Sequence, residues 1–170
     1  MVQEKILIGD LEISYDGLFD SGDFFKLLDE WFKQNGYDKN ELKHIERVRE
    51  KGKFIDYEIL PFKKLTDYAK SKINVRVIIN DLTNVTIKKD KQHVSLNKGK
   101  ITILISAFLS TDITEQWEAK PIYFFFRTIW DKYINKSYTD KYEIMIMNDV
   151  QALHTELKAY FNLIRQTTPS

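Results

Sequence analysis

The clearest alternation of apolar and polar positions lies in Ile101–Leu109. There Ile101, Ile103, Ile105, Ala107 and Leu109 share one parity, and Thr102, Leu104, Ser106, Phe108 and Ser110 share the other. Successive side chains on a strand point to opposite faces, so this pattern predicts a strand with one wholly apolar face and one mixed face. Ile73–Ile79 behaves alike, setting Ile73, Val75, Val77 and Ile79 against Asn74, Arg76 and Ile78. Lys5–Tyr15 alternates at its end, through Leu11, Ile13 and Tyr15. Lys43–Glu50 and Phe54–Leu60 read as strands joined by a hairpin turn at Lys51-Gly52-Lys53, and Pro61, which has no amide to donate, marks an edge or a bend. Residues Lys63–Lys70 read as the start of the strand that continues through Ile79, with a short helix aligning Leu65 and Ala69 as the alternative. Val85–Lys89 and His93–Leu96 flank a turn at Asp90-Lys91-Gln92, and Asn97-Lys98-Gly99 predicts a second turn leading into Ile101–Leu109.

Helical spacing appears twice. In Asp23–Asn35, Phe24, Leu27, Leu28, Trp31 and Phe32 fall on one face, Asp20 or Ser21 can cap the first turn, and Gly36 supplies the stop. The second case is the last third of the chain. Pro121 opens a helix with Ile122, Phe125, Phe126, Ile129, Trp130 and Tyr133 on one side. After Asn135-Lys136-Ser137, a stripe of Tyr142, Ile146, Val150, Leu153, Leu157, Tyr160 and Ile164 continues it. This predicts two helices with a bend near Asn135–Tyr138 and a frayed tail at Gln166–Ser170. The stripe steps by three and four, which suits a seam between paired helices or a helix docked on a sheet. The fold class is therefore α+β: a curved antiparallel sheet of six or seven strands packed on a long C-terminal helical region. No repeat or linker divides the chain, so residues 1–170 form one domain.

Composition narrows the chemistry. Cysteine is absent, which excludes disulfides, thiol nucleophiles, iron–sulfur clusters and thiolate zinc sites. The formal net charge of +1 provides no global field for nucleic acid. The N-terminus lacks the pattern of a secretory signal, and no apolar run approaches the ~20 residues of a membrane span. A cytoplasmic chain without a transmembrane segment is expected. His44, His93 and His154 stand far apart and outside any paired-histidine motif, so no metal site is expected. Ser14 and Ser106 lie in strands without flanking glycines, unlike an activated nucleophile. The six glycines are isolated, so no loop can cradle phosphates. No cofactor is expected.

Three patterns remain. The basic stretch from Lys88 to Lys100 contains no Tyr, Phe or Trp and reads as solvated hairpin tips, not as a nucleic-acid platform. The block Tyr123-Phe124-Phe125-Phe126 covers more than one helical turn, so one ring must leave a single stripe. It suits a helix buried on two sides, a ring lining a cavity or partner surface, or docking at a lipid interface helped by Trp117, Trp130, Lys120, Arg127 and Lys132. Finally, Glu46, Glu50, Asp56, Glu58 or Glu118 could serve as a general base if buried in a pocket without a cation.

The order strand, helix, antiparallel meander and long C-terminal helix, from about Lys5 to Arg165, resembles the START-like (SRPBCC, helix-grip) superfamily. The resemblance implies a curved sheet gripping the terminal helix, with an apolar cavity between them. It departs in having one clear helix after the first strand and two C-terminal helical segments. What it implies is a non-enzymatic module that binds a hydrophobic small molecule or lipid. The candidate lining is Phe54, Val77, Ile103, Ile105, Phe126 and Ile129, with Arg76 or Arg127 as polar anchor. A protein-interaction domain, including a homodimer through the last helix, and a small cyclase- or hydrolase-like enzyme with a cavity carboxylate are the alternatives.

Overall fold

The computed structural model describes residues 2–112 and 135–168. Its elements are β1 (Val2–Phe19), α1 (Ser21–Gln34), β2 (Glu41–Arg49), β3 (Gly52–Ile59), β4 (Phe62–Lys64), β5 (Ala69–Lys89), β6 (Gln92–Asp112) and α2 (Asn135–Thr167). The six strands form an open antiparallel sheet in the order β1-β6-β5-β3-β2, with β4 also paired to β5. The chain is thus α+β, with the sheet packed against the C-terminal helix. The predicted helix through Ile122–Tyr133 and its aromatic block lie outside the described residues, but the break predicted near Asn135–Tyr138 does not occur, because those four residues form the first turn of the continuous helix α2.

β5 and β6 form the centre of the sheet, a hairpin of two 21-residue strands closed at Asp90 and Lys91. Both turn residues have left-handed φ, 48° and 66°, as a tight two-residue turn with the strands' own twist requires. The predicted turn at Asn97–Gly99 does not occur, because β6 runs straight through it. Nor does Lys63–Lys70 continue into the next strand or form a helix. Phe62–Lys64 pairs along β5, and Leu65–Tyr68 then reverses the chain so that β5 begins at Ala69. The Pro61 carbonyl, at the break between β3 and β4, accepts from the amide of Ile73.

The apparent turn at Asn97–Gly99 has a different cause. Opposite Gly99, β5 carries an irregularity between Asn80 and Thr83, with Asp81 at φ 55°. A Cβ on Gly99 would lie 3.0 Å from the Asn80 carbonyl oxygen, and one on Gly52 of β3 would lie 2.7 Å from the Asp81 carbonyl carbon. Two glycines on the flanking strands therefore make room for one bulge. Gly17 of β1 pairs with Gly99, so the row continues across four strands. A bulge of this kind bends its strand and sharpens the local twist.

One face of the sheet carries the core. Ile73, Val75, Val77, Ile79, Ile101, Ile103, Ile105 and Ala107 are fully buried on it, beside Ile13 and Tyr15 of β1 and Tyr57 and Ile59 of β3. α2 lies over β1 and β6 and buries Ile146, Val150, Leu153, Leu157 and Phe161. α1 buries Phe24, Leu28, Trp31 and Phe32, and its Phe25 ring stands edge-on to Tyr57 of β3, 5.3 Å between centroids. Phe24 also stacks on Phe161, joining the two helices.

Candidate functional site

The inner sheet face supplies the apolar wall expected of a binding module. Val77 pairs with Ile103 and Val75 with Ile105, so Val77, Ile103 and Ile105 are neighbours on adjoining strands, each with no exposed surface. Arg76 and Phe54 do not join them. Strand alternation turns both to the opposite face, where Arg76 meets Asp56 and the Phe54 ring lies 4.1 Å from the Arg49 guanidinium carbon. Phe126, Arg127 and Ile129 lie outside the described residues.

The wall ends at each side in polar contacts that fix the helices. At one end Asp20, the N-cap of α1, accepts from the Asp23 amide, and its carbonyl accepts from the Tyr160 hydroxyl of α2 at 2.8 Å. Asn97 Oδ1 accepts from both the amide and the hydroxyl of Ser21, which ties α1 to β6. Tyr15, Phe19, Phe24, Tyr160 and Phe161 gather around this point, with Tyr15 and Phe161 stacked at 4.7 Å.

At the other end a four-residue polar cluster was not foreseen. α1 closes with paired reverse hydrogen bonds, Gly36 amide to Lys33 carbonyl and Tyr37 amide to Phe32 carbonyl, with Gly36 at φ 77°. This C-terminal motif sets the next side chain against the helix's last turn, and the Tyr37 ring lies 5.6 Å from that of Phe32. The Tyr37 hydroxyl then donates to Asp149 Oδ2 at 2.8 Å, so the Ser71 hydroxyl, 2.9 Å away, must donate to Tyr37. Lys63 Nζ stands 3.4 Å from the same carboxylate and 5.0 Å from the Tyr37 ring centroid. Burial, and then the Asp149 carboxylate against the opposing Ser71 bond, holds the Tyr37 phenol protonated far above its ordinary range. Ser71 has no exposed surface, so no substrate carbonyl can reach its oxygen. The cluster is a clamp joining α1, β4, β5 and α2.

On the outer face, Asp56 is the buried carboxylate. Its side chain is 6% exposed and accepts from Arg76 Nε and Nη2, each at 3.0 Å, and from Lys43. The Arg76 bonds and Lys43 outweigh burial and lower its pKa to about 2. A group so weakly basic is unsuited to proton abstraction near neutral pH. Glu46 is exposed and paired with Lys53 and His44, Glu50 is exposed, and half-buried Glu58 accepts from Asn74 at 2.9 Å. Glu118 lies outside the described residues.

No group of three metal-binding side chains is found among the described residues, and no described helix is long and apolar enough to cross a membrane. Likewise no buried polar side-chain atom among them lacks a hydrogen-bond partner. Such an orphan is one mark of a site awaiting its ligand. No protein-family model, curated protein or solved structure matches this chain.

Proposed function

We propose that the chain is a non-enzymatic binding module for a hydrophobic small molecule or lipid, held between the sheet and the C-terminal helix. The observation that supports this most is the unbroken aliphatic surface of Val77, Ile103, Ile105 and their neighbours on the sheet face that also carries α2. Pockets for apolar ligands need such walls with a few fixed polar groups at their rim. Here the rim groups are the Tyr160–Asp20 and Tyr37–Asp149 contacts. The order of elements that resembles the START-like superfamily favours the same reading. Catalysis by a cavity carboxylate is the weaker reading, because Asp56 is neutralised by two cations on the face away from the wall.

The stripe offered for a helix-paired homodimer favours docking on the chain's own sheet, since Ile146, Val150, Leu153 and Leu157 are buried there. The test of the binding reading is organic extraction of the natively purified protein with mass spectrometry, beside titration with a fluorescent fatty acid. The expected results are a co-purifying apolar compound and saturable binding at one site per chain. Absence of both overturns the reading.

A further inference from the structure

Beyond Asn84 and Asn97 the central hairpin leaves the sheet. β1 pairing ends at Phe19 with Asn97, and β3 pairing ends at Lys53 with Leu82. From there to the turn at Asp90 and Lys91, β5 and β6 pair only with each other among the described residues. Five residue pairs at about 3.3 Å each make an arm of roughly 16 Å.

The arm has two unlike faces. On one, the cross-strand pairs are Asn84 with Asn97, Thr86 with Ser95, and Lys88 with His93. On the other they are Val85 with Leu96 and Ile87 with Val94, four half-buried aliphatics that stand apart from the main core. That aliphatic patch is bracketed by lysines: Lys98 and Lys100 share its face at the base, and Lys89 shares it at the far end beside the turn residue Lys91. With Lys88 these are five lysines, and Asp90 is the one acidic residue between Asp81 and Asp112. None of the five makes an ion pair among the described residues, although Asp16 of β1 is the register partner of Lys100. Eight lysines elsewhere, Lys5, Lys26, Lys39, Lys43, Lys53, Lys63, Lys64 and Lys72, each meet a carboxylate.

We infer that this arm docks the protein on an anionic lipid surface, with Val85, Ile87, Val94 and Leu96 against the acyl boundary and the flanking lysines among the headgroups. The charge pattern selects that partner. Lysine stems lie along apolar surface while their ammonium groups reach polar headgroups, and each lysine near an anionic leaflet adds attraction that salt screens. Nucleic acid fits less well, because the arm has no arginine to read bases or fork onto phosphates and no Phe, Tyr or Trp ring to serve as a stacking platform. The inference is independent of the ligand reading, since a chain with no internal ligand can still dock this way.

The test is sedimentation of the full chain with vesicles of about three parts phosphatidylcholine to one part phosphatidylserine. Binding is expected to these vesicles and not to pure phosphatidylcholine. It should be lost near 1 M salt, where screening acts within about 3 Å. The triple variant Lys89→Glu, Lys91→Glu, Lys98→Glu should bind at least about tenfold more weakly. Ile87→Ser with Val94→Ser should also weaken binding while leaving the charge intact. If the triple variant fails to give a native circular-dichroism melt, Lys89→Gln with Lys91→Gln supplies the same comparison. Equal sedimentation of parent and charge variants, or no sedimentation with anionic vesicles, overturns the inference. So does tighter binding to a DNA duplex that the vesicles fail to displace.

Discussion

The Tyr37 hydroxyl donates to Asp149 Oδ2 at 2.8 Å, joining the residue after the α1 stop to the middle of α2 across 112 positions of sequence. Removing that one oxygen in Tyr37→Phe keeps the ring, strands the buried Ser71 hydroxyl and leaves the half-buried Asp149 carboxylate with Lys63 at 3.4 Å. A buried polar group left without its partner costs about 1–3 kcal/mol. For a chain of this length that corresponds to a fall in Tm of roughly 2–10 °C. Calorimetry should show this fall, and Tyr37→Phe combined with Ser71→Ala should recover part of it, because the double variant no longer buries an unpaired hydroxyl.

Alkaline pH tests the same contact from the other side. Burial raises the phenol pKa of Tyr37 and of Tyr160 well above the ordinary 10.0. Above that value the unfolded chain has lost protons that the native chain keeps, so stability falls as pH rises from about 10. Stability measured by urea unfolding should therefore change little between about pH 8 and 10 and drop above that. In Tyr160→Phe the slope should be smaller, although the variant is also less stable at neutral pH through loss of the bond to the Asp20 carbonyl.

How far sequence reasoning reached depended on whether a residue's role was local. Ile101–Leu109 and Asp23–Asn35 were legible because alternation and helical spacing are short-range and one face of each is buried. β1 alternates only at its end because register shifts between Ile6 and Ile8 and between Ile8 and Leu11 interrupt the two-residue period. Asn97 and Gly99 look like turn residues, yet Asn97 is there to hold Ser21 and Gly99 to admit the bulge at Asp81. Both reasons lie on other strands or helices. Phe161 was passed over for Tyr160, its neighbour at the alternative spacing, and the two rings take different tasks in one cluster. Within the candidate site, the Val77–Ile103–Ile105 wall was legible as parity, whereas the Ser71–Tyr37–Asp149–Lys63 clamp required contacts 34 to 112 positions apart.

Acid stability should be governed in part by Asp56. Its folded pKa is about 2 against an ordinary 3.8, because Arg76, with Lys43, favours the ionised form. A lowered carboxylate pKa contributes stability that is present above about pH 4 and lost as pH falls toward 2. Arg76 and Lys43 are about a third exposed, so screening reduces the contribution to about 1–2 kcal/mol. Arg76→Ala should raise the acid midpoint of unfolding followed by fluorescence. The variant Asp56→Asn should make the remaining curve less steep in the same interval.

The glycine pair around the bulge predicts an ordered series of alanine variants. Gly52→Ala sets a Cβ 2.7 Å from backbone carbon of Asp81 at φ 144°, a contact that only movement of β5 can relieve. Gly99→Ala meets the Asn80 oxygen at 3.0 Å with no left-handed φ to maintain. Gly9 has open space around its Cβ position. Stability should therefore fall most in Gly52→Ala, by about 2–3 kcal/mol, less in Gly99→Ala, and hardly at all in Gly9→Ala. Chemical denaturation of the three variants gives the ranking, and an equal cost at Gly9 and Gly52 would show that the bulge is not what the glycine accommodates.

Substitutions on α2 distinguish the side that docks on the sheet from the side that does not. Leu153 is fully buried in the core, whereas Ile144 of the same helix is 60% exposed. Leu153→Ala removes buried methyl groups and leaves a void against β1 and β6, a change that costs about 2–5 kcal/mol. Ile144→Ala removes surface already in water and should fall within about 0.5 kcal/mol of the parent. Unfolding curves of the two variants at several protein concentrations separate the two uses of the stripe. A large, concentration-independent loss confined to Leu153→Ala follows from a helix gripped by its own sheet. A loss that deepens on dilution would instead mean that Leu153 faces a second copy of the chain.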